Sequence, residues 1–461
     1  MEAARRLLAF ALLWAAPACS FRVVPATGDD SGVDGEVPPD ASLCADKTAS
    51  CASSTVLREC TTIGQLPVDT TCAWGCLAQA TPHCGRITPS SDVLTAADLD
   101  PDPMLADRRI GPATGVGVIN TGDGSITGAR GKVEGYDNGI EFRIRTIGGR
   151  SVAVFRFSKL TLVGDWVVQG PRALAIASVG DVIIQGRLDL TPACATGAGP
   201  GGFPGGAVAT SATGSGAGQG ANSNTTSGGG GGGYGAAGGD GGRSGGGGPV
   251  TGGTAWGTAE ISQLVGGGGG GGGANGTGAG GGGGGAIQIA ANGRVTIRSD
   301  AAVTPSGINA GGCGGKRGGN GGTTGGAGGG GGAGGAILIE ALDVELDGAA
   351  LAVNGGSGGG GNNGAGPGNG SDGPLGAGPA TGGKLSGNGG DGGNGGATNS
   401  RTGSPGGDGT GDASGGGGGG VGRIRVNTRA ADGVTVTAPA IVSPTFEETG
   451  TTSTKGIAPP R

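Results

Sequence analysis

Gly285-Ala-Ile-Gln-Ile-Ala-Ala-Asn-Gly-Arg-Val-Thr-Ile297 is written again, with small changes, as Gly335-Ala-Ile-Leu-Ile-Glu-Ala-Leu-Asp-Val-Glu-Leu346. An earlier copy runs from Arg172 to Leu190 and a later one from Gly422 to Val436. Each copy holds a short apolar run, a turn, and a second run whose residues alternate. Such self-similarity is the signature of a repeat architecture. Apolar alternation at period two argues for strands with one buried face. The expected fold is all-β: a parallel β-solenoid (β-helix) whose turns are the repeated phrases.

Stacking the phrases fixes a register. Val182, Val295 and Val344 should form one inward column, and Ile184, Ile297 and Leu346 another. Outward neighbours would be Asp181, Arg294 and Asp343, then Gln185, Arg298 and Asp347. Arg294 should then lie between two carboxylates, and Arg298 should bond Asp347. Upstream, Gly139-Ile-Glu-Phe-Arg-Ile-Arg145, Val152–Phe157 and Leu160–Leu162 alternate in the same way. They read as opening turns of a solenoid spanning 113–446.

Between the phrases lie glycine-rich insertions at about 191–284, 304–334 and 354–420, with exits after Leu190, Val303 and Val353. They hold most of the 122 glycines in the 461-residue chain. Glycine loses the most backbone entropy on ordering. A local three-residue rhythm nevertheless argues for order: Gly389-Gly-Asp-Gly-Gly-Asn-Gly-Gly-Ala397 is three G-G-x triplets. A helix with three residues per turn would put glycine on two faces, letting neighbouring backbones approach and exchange hydrogen bonds. The insertions are expected as packed polyglycine-II-like loops, side by side on one flank. Collagen's unbroken G-x-y spacing is absent.

The N-terminus reads as an export signal over 1–18. Arg5 and Arg6 precede an apolar run from Leu7 to Ala16, too short to cross a bilayer. Ala16-Pro-Ala-Cys19 is similar to a bacterial lipobox, which would make Cys19 the lipidated first residue. It departs from the usual pattern at Ala16 and Pro17. Simple cleavage after the A-x-A of Ala16–Ala18 is the alternative. A polar tether (19–42) follows, then a module (43–86) with Cys44, Cys51, Cys60, Cys72, Cys76 and Cys84. So few residues cannot bury enough apolar surface unaided. Three disulfides are expected, in one of fifteen connectivities; zinc held by Cys72, Cys76, His83 and Cys84 is the other reading. Cys194 and Cys313 either pair or remain buried thiols. Residues 87–112 read as a linker and 447–461 as a tail. Asp98, Asp100 and Asp102 suit a solvated loop better than a calcium loop.

Motifs for catalysis are scarce. Gly378-Pro-Ala-Thr-Gly-Gly-Lys-Leu385 resembles a phosphate-binding loop, but Leu385 stands where a Ser or Thr would hold magnesium. His83 is the only histidine. Asp343, Glu345 and Asp347 form an acidic row without a matching row beside it. Asp240, Asp372, Asp391 and Asp408 in the insertions read as solvated loop acids, with weak calcium binding as the alternative. Tyr234 and Trp256 are contact residues or a small plug anchoring a loop. A formal net charge of −6 disfavours phosphate-driven nucleic-acid binding.

The G-G-G-A-I-x-I phrase, the following glycine tract and the six-cysteine module after a lipobox-like signal resemble the glycine-rich surface lipoproteins of myxobacteria. The tracts alone are similar to polyglycine-II adhesin tips of phage tail fibres and to the glycine-rich domain of certain receptor kinases. The resemblance implies an exported, non-catalytic surface lipoprotein at the outer membrane, structural or adhesive in role. Secretion is the alternative location. Its partner would be a surface polysaccharide, a matrix polymer or a neighbouring cell, and its membrane contact a lipid anchor. No cofactor, metal or catalytic residue is expected. The alternatives are a β-helix carbohydrate-active enzyme and an ice- or crystal-binding surface.

Overall fold

The computed structural model describes residues 43–461 except 192–196, 222–225, 245–247, 249, 322–323, 363–365, 367, 411–412 and 448–449. Its first strands are β1 (Ala49–Ser53), β2 (Val56–Glu59), β3 (Val68–Thr71), β4 (Cys76–Leu77) and β5 (His83–Cys84). β1–β2–β3 make one antiparallel sheet and β4–β5 another. Besides the half-cystines Cys44 and Cys72, this part buries only Leu57 and Trp74 as large apolar groups. So small a core leaves the work to three disulfides, Cys44–Cys60, Cys51–Cys76 and Cys72–Cys84.

The remaining strands are β6 (Asp107–Ile110), β7 (Val116–Asn120), β8 (Gly135–Asp137), β9 (Ile140–Ile147), β10 (Arg150–Phe157), β11 (Lys159–Gln169), β12 (Ala173–Ser178), β13 (Val182–Asp189), β14 (Ala286–Ala291), β15 (Val295–Arg298) and β16 (Gly307–Asn309). After them come β17 (Asn320–Gly321), β18 (Thr324–Gly325), β19 (Ala336–Ala341), β20 (Val344–Asp347), β21 (Ala350–Ala352), β22 (Arg423–Thr428), β23 (Val434–Thr437), β24 (Ile441–Ser443) and β25 (Ser453–Ile457). Among the described residues the one helical turn is a 3-10 segment at Ala96–Leu99. The fold is all-β.

Each repeated phrase contributes one strand to each of two sheets. The first sheet runs β8-β9-β10-β12-β14-β19-β22-β25 and is parallel from β10 onward. In the second sheet β13 pairs with β11 on one side. On the other side β15 pairs with its first half and β16 with its second. β20 and β21, then β23 and β24, continue these two rows in parallel.

The anticipated columns are present. Val182, Val295, Val344 and Val434 are register partners in turn, as are Ile184, Ile297, Leu346 and Val436. In the first sheet Ile176, Ile289, Ile339 and Val426 form the facing column. Members of both sheets share one continuous core. Burying an Ile, Leu or Val side chain contributes about 1.5–3 kcal/mol, so these columns carry most of the hydrophobic stabilisation.

Gly186 lets β13 serve two rows. It has φ +121°, and a Cβ there would lie 2.2 Å from the carbonyl oxygen of its partner Gly164. The strand bends at this point without breaking, as strand-interior glycines allow. Later turns break at the same corner, between β15 and β16 and between β20 and β21.

Four expectations need correction. Residues 135–157 are antiparallel, not opening parallel turns, because Gly148 and Gly149 at φ +55° and +78° close a two-residue hairpin between β9 and β10. The second insertion leaves after β16, at Ala310 rather than Val303, since 299–306 is the corner and not the exit. Residues 87–112 are no linker. Ile87, Val93, Leu94 and Leu99 cover the outer face of the first sheet, and β6 joins the second sheet. Nor is 447–461 a loose tail, because β25 extends the first sheet beside β22.

The strap at 87–99 is pinned by polar groups as well. The buried Glu340 carboxylate accepts from Ser90 N at 2.8 Å, Gln288 Nε2 at 2.6 Å and Asn427 Nδ2 at 3.2 Å. Ser91 Oγ donates to Gln288 Oε1 at 2.6 Å. Asp98, buried at the strap's end, accepts from Arg143 and Arg145 at 2.8–2.9 Å. Burial works to raise its pKa, but hydrogen bonds from Arg145 and Thr95 outweigh it and hold the carboxyl below its ordinary value.

Candidate binding surface

The glycine insertions are ordered, and their order comes from backbone hydrogen bonds. Gly328, Gly331 and Gly334 donate to the carbonyls of Ser414, Gly417 and Gly420. Gly329 and Gly332 donate to Lys316 and Cys313, and Gly330 and Ala333 to Gly271 and Gly268. Carbonyls of the same stretch accept from Gly229 and Gly232, from Gly281 and Gly284, and from Gly356 and Gly359. Every third residue therefore addresses the same neighbour, and one segment is surrounded by six others drawn from all three insertions.

That coordination needs glycine. A Cβ on Gly328, Gly329, Gly330, Gly331 or Gly332 would sit 1.9–2.2 Å from a neighbouring carbonyl oxygen. The segments also grow out of the sheets: Ala336 N donates to Gly285 O, and Arg423 N to Gly335 O. The stacking of the strands is thereby handed on to the lattice.

At the rim, where a segment lacks a neighbour, side chains take the neighbour's place. Asp240 accepts from Gly252 N at 2.9 Å, Asp408 from Arg243 N at 2.7 Å and Asp391 from Leu385 N at 2.7 Å. Asp372 accepts from Gly314 N, Asn369 from Arg317 N and Asn394 from Gly382 N at 2.9–3.0 Å. The third residue of each G-G-x triplet thus caps a backbone donor. These are the loop acids for which the sequence left solvation and calcium open, and their oxygens serve the lattice edge. Among the described residues no group of three His, Cys, Asp or Glu side chains could hold a metal ion. Lys384 of the phosphate-loop-like stretch pairs with Asp391 at 3.3 Å, and Leu385 is exposed.

On the outer face of the second sheet, Arg294 N donates to Asp181 Oδ1 at 2.9 Å and its guanidinium approaches Asp343 at 3.6 Å. It sits between two carboxylates as anticipated. Arg298 behaves otherwise: it is the register partner of Asp347 but donates to Gln185 Oε1 at 2.7 Å. The acidic row of Asp343, Glu345 and Asp347 lies between Arg294, Thr296 and Arg298 on one side and Gly433, Thr435 and Thr437 on the other. His83 lies on β5 with Nδ1 2.9 Å from Thr81 O. Cys313 is buried and disulfide-bonded. Cys19 and Cys194 lie outside the described residues.

Two features escaped the sequence reading. Beyond the Gly186 bend, Asp165 and Arg187 are register partners joined at 2.6 and 2.8 Å. With Asp300 and Thr304 they line a groove of about 590 Å³. Burial pushes the nearby Asp189 carboxyl up, against the hydrogen bond it accepts from Thr191 N. The Gly186-Arg-Leu-Asp alternation carried the signal, had the bend been recognised.

The other feature is an aromatic corner where the lattice meets the first sheet. Tyr234 is buried, its ring centroid 4.6 Å from that of Trp256, with Phe203 6.2 Å beyond. Trp256 Nε1 donates to Gly233 O at 3.1 Å. Arg423 lies over the Tyr234 ring at 5.7 Å and donates to the carbonyls of Trp256 and Gly257. Tyr234 therefore anchors a long insertion.

Comparison of the chain with protein-family models, with curated proteins and with solved structures finds no match.

Proposed function

We propose that this chain is an exported, lipid-anchored, non-catalytic surface protein that binds a polymer, glycan or neighbouring cell through the rim of its glycine lattice. The stacked turns act as a parallel β-solenoid, and the insertions as polyglycine-II-like helices grown from its flank. Such a protein would sit at the outer membrane or cell surface, as in the glycine-rich myxobacterial lipoproteins it resembles. The observation that carries this reading is the six-neighbour packing around Gly328–Gly334. A lattice that satisfies its own backbone groups is rigid, and it presents its rim side chains at fixed spacing without spending ordering entropy on binding.

Pull-down of the mature protein with cellulose, chitin and amylose tests the reading, together with fractionation of cells carrying Cys19→Ala. Retention on at least one polymer, and release of the variant from the membrane fraction, are expected. No retention on any of them, or a variant that stays membrane-bound, overturns the respective half.

A carbohydrate-active enzyme is the second reading, supported by the groove holding Asp165 beside Asp189, whose carboxyl is pushed up. Loss of polysaccharide cleavage on Asp189→Asn would promote it. An ice-binding face has less support: the outward column reads Thr161, Ile183, Thr296, Glu345, Thr435, which is not a regular array.

A further inference from the structure

We propose that the cavity between Tyr234, Trp256 and the segment 257–263 is a subsite for one neutral pyranose ring of a polysaccharide chain. The proposal rests on the polymer-binding reading above and gives it a place. The cavity measures about 290 Å³ and is lined by Tyr234, Trp256, Thr258, Ile261, Ser262 and Gln263. That lies at the small end of ligand sites, which run from about 300 to 1,000 Å³ and combine apolar walls with a few placed polar groups. It suits a single ring better than a peptide or a nucleotide.

The wall chemistry matches a sugar. The indole N–H of Trp256 is held by Gly233 O, so the ring plane is fixed before any ligand arrives. Thr258, Ser262 and Gln263 are exposed at the mouth and offer hydroxyl and amide groups. Buried tyrosine hydroxyls usually find a hydrogen-bond partner. Among the described residues the Tyr234 hydroxyl has none, and burial pushes its pKa up to about 12, so it stays a neutral donor.

Charge selects the class of sugar. Arg423, the cation beside Tyr234, already donates to Trp256 O and Gly257 O. Glu260 lies nearby with its pKa lowered by a hydrogen bond from its own backbone and another from Thr258. A carboxylate-bearing ring would meet a carboxylate and no uncommitted guanidinium. A neutral ring meets neither cost. A plug that only anchored the insertion would close the space that remains here.

The test is titration of the mature protein with cellohexaose, chitohexaose and maltohexaose, read by tryptophan fluorescence and calorimetry. These match the three polymers of the pull-down. Saturable binding of at least one is expected, weakened tenfold or more by Trp256→Ala and a few-fold by Gln263→Ala. The exposed Gln263→Ala keeps the fold if Trp256→Ala does not, as circular dichroism will show. Polygalacturonate should not compete. Absence of saturable binding to all three, or affinity unchanged in Gln263→Ala and in a folded Trp256→Ala, overturns the subsite. Polymer retention that survives in both variants would leave the surface reading standing while removing the subsite. Loss of both retention and hexaose binding in the wild type would remove both.

Discussion

The two sheets and the glycine lattice are continuous in chain and in stacking, yet opposite interactions hold them. In the sheets, columns such as Ile184–Ile297–Leu346 bury apolar side chains, and the backbone ladder follows from that burial. In the lattice, side chains are nearly absent and the backbone itself fills space. Gly331 both donates to Gly417 O and accepts from Gly232 N. A net hydrogen bond is worth only about 0.5–1.5 kcal/mol, while leaving a buried backbone group unmade costs more. The lattice is therefore all-or-none in a way the sheets are not, and it needs the sheets as its template.

The contrast can be broken most severely from inside the lattice. Gly332→Ala places a methyl 2.0 Å from Gly282 O, with no side chain able to move aside. Overpacking commonly costs about 1–3 kcal/mol where neighbours can relax. Here they cannot, so amide protection should vanish across the whole lattice while the strand amides keep theirs. In the sheets, Ile297→Ala should cost about 2–5 kcal/mol in chemical denaturation and leave the fold recognisable by circular dichroism.

Ion pairs under the strap sharpen the comparison, because the lattice interior has no equivalent. Removing one member of a buried pair typically costs about 3–5 kcal/mol, and Asp98→Asn should approach the lower figure. The pKa of Asp98 is lower in the folded state than in the unfolded chain. Its contribution is therefore complete above about pH 4 and is lost as pH falls through the folded value. The Asn variant should lack that acid-dependent loss. Asp189 has the opposite sign: its folded pKa is raised, so its ionised form opposes folding at neutral pH. Asp189→Asn should raise the melting temperature at pH 7 and leave it unchanged at low pH.

Rim substitutions should be smallest. Asp240→Ala removes a single cap on Gly252 N and should cost under about 1 kcal/mol, since water can replace it. Gly378→Ala meets nothing within 4 Å and should be neutral or stabilising by about 0.4–1 kcal/mol.

Much of this was legible in the sequence. The columns through Val295 and Ile297, the position of Arg294 and the three-residue rhythm of the insertions follow from period and alignment alone. What was hidden depends on contacts with no local signature. Residues 87–99 look like a linker because their partners, Gln288, Glu340 and Asn427, lie some two to three hundred residues away. The exit at Ala310 was masked by a corner that spreads over 299–306 in one turn but needs only Gly186 in another. Arg298 chose Gln185 over Asp347 because a long side chain can reach either register neighbour. The aromatic corner could not be placed, since polyglycine carries no information on which segments adjoin.

Hydrogen exchange at the amides of Gly328–Gly334 tests the central claim most directly. If six neighbouring segments hold this stretch, its amides should exchange as slowly as those of β14 and β19. Exchange at the rate of an unstructured peptide, while the strands stay protected, would contradict the lattice and with it the rigid rim on which the binding proposal depends.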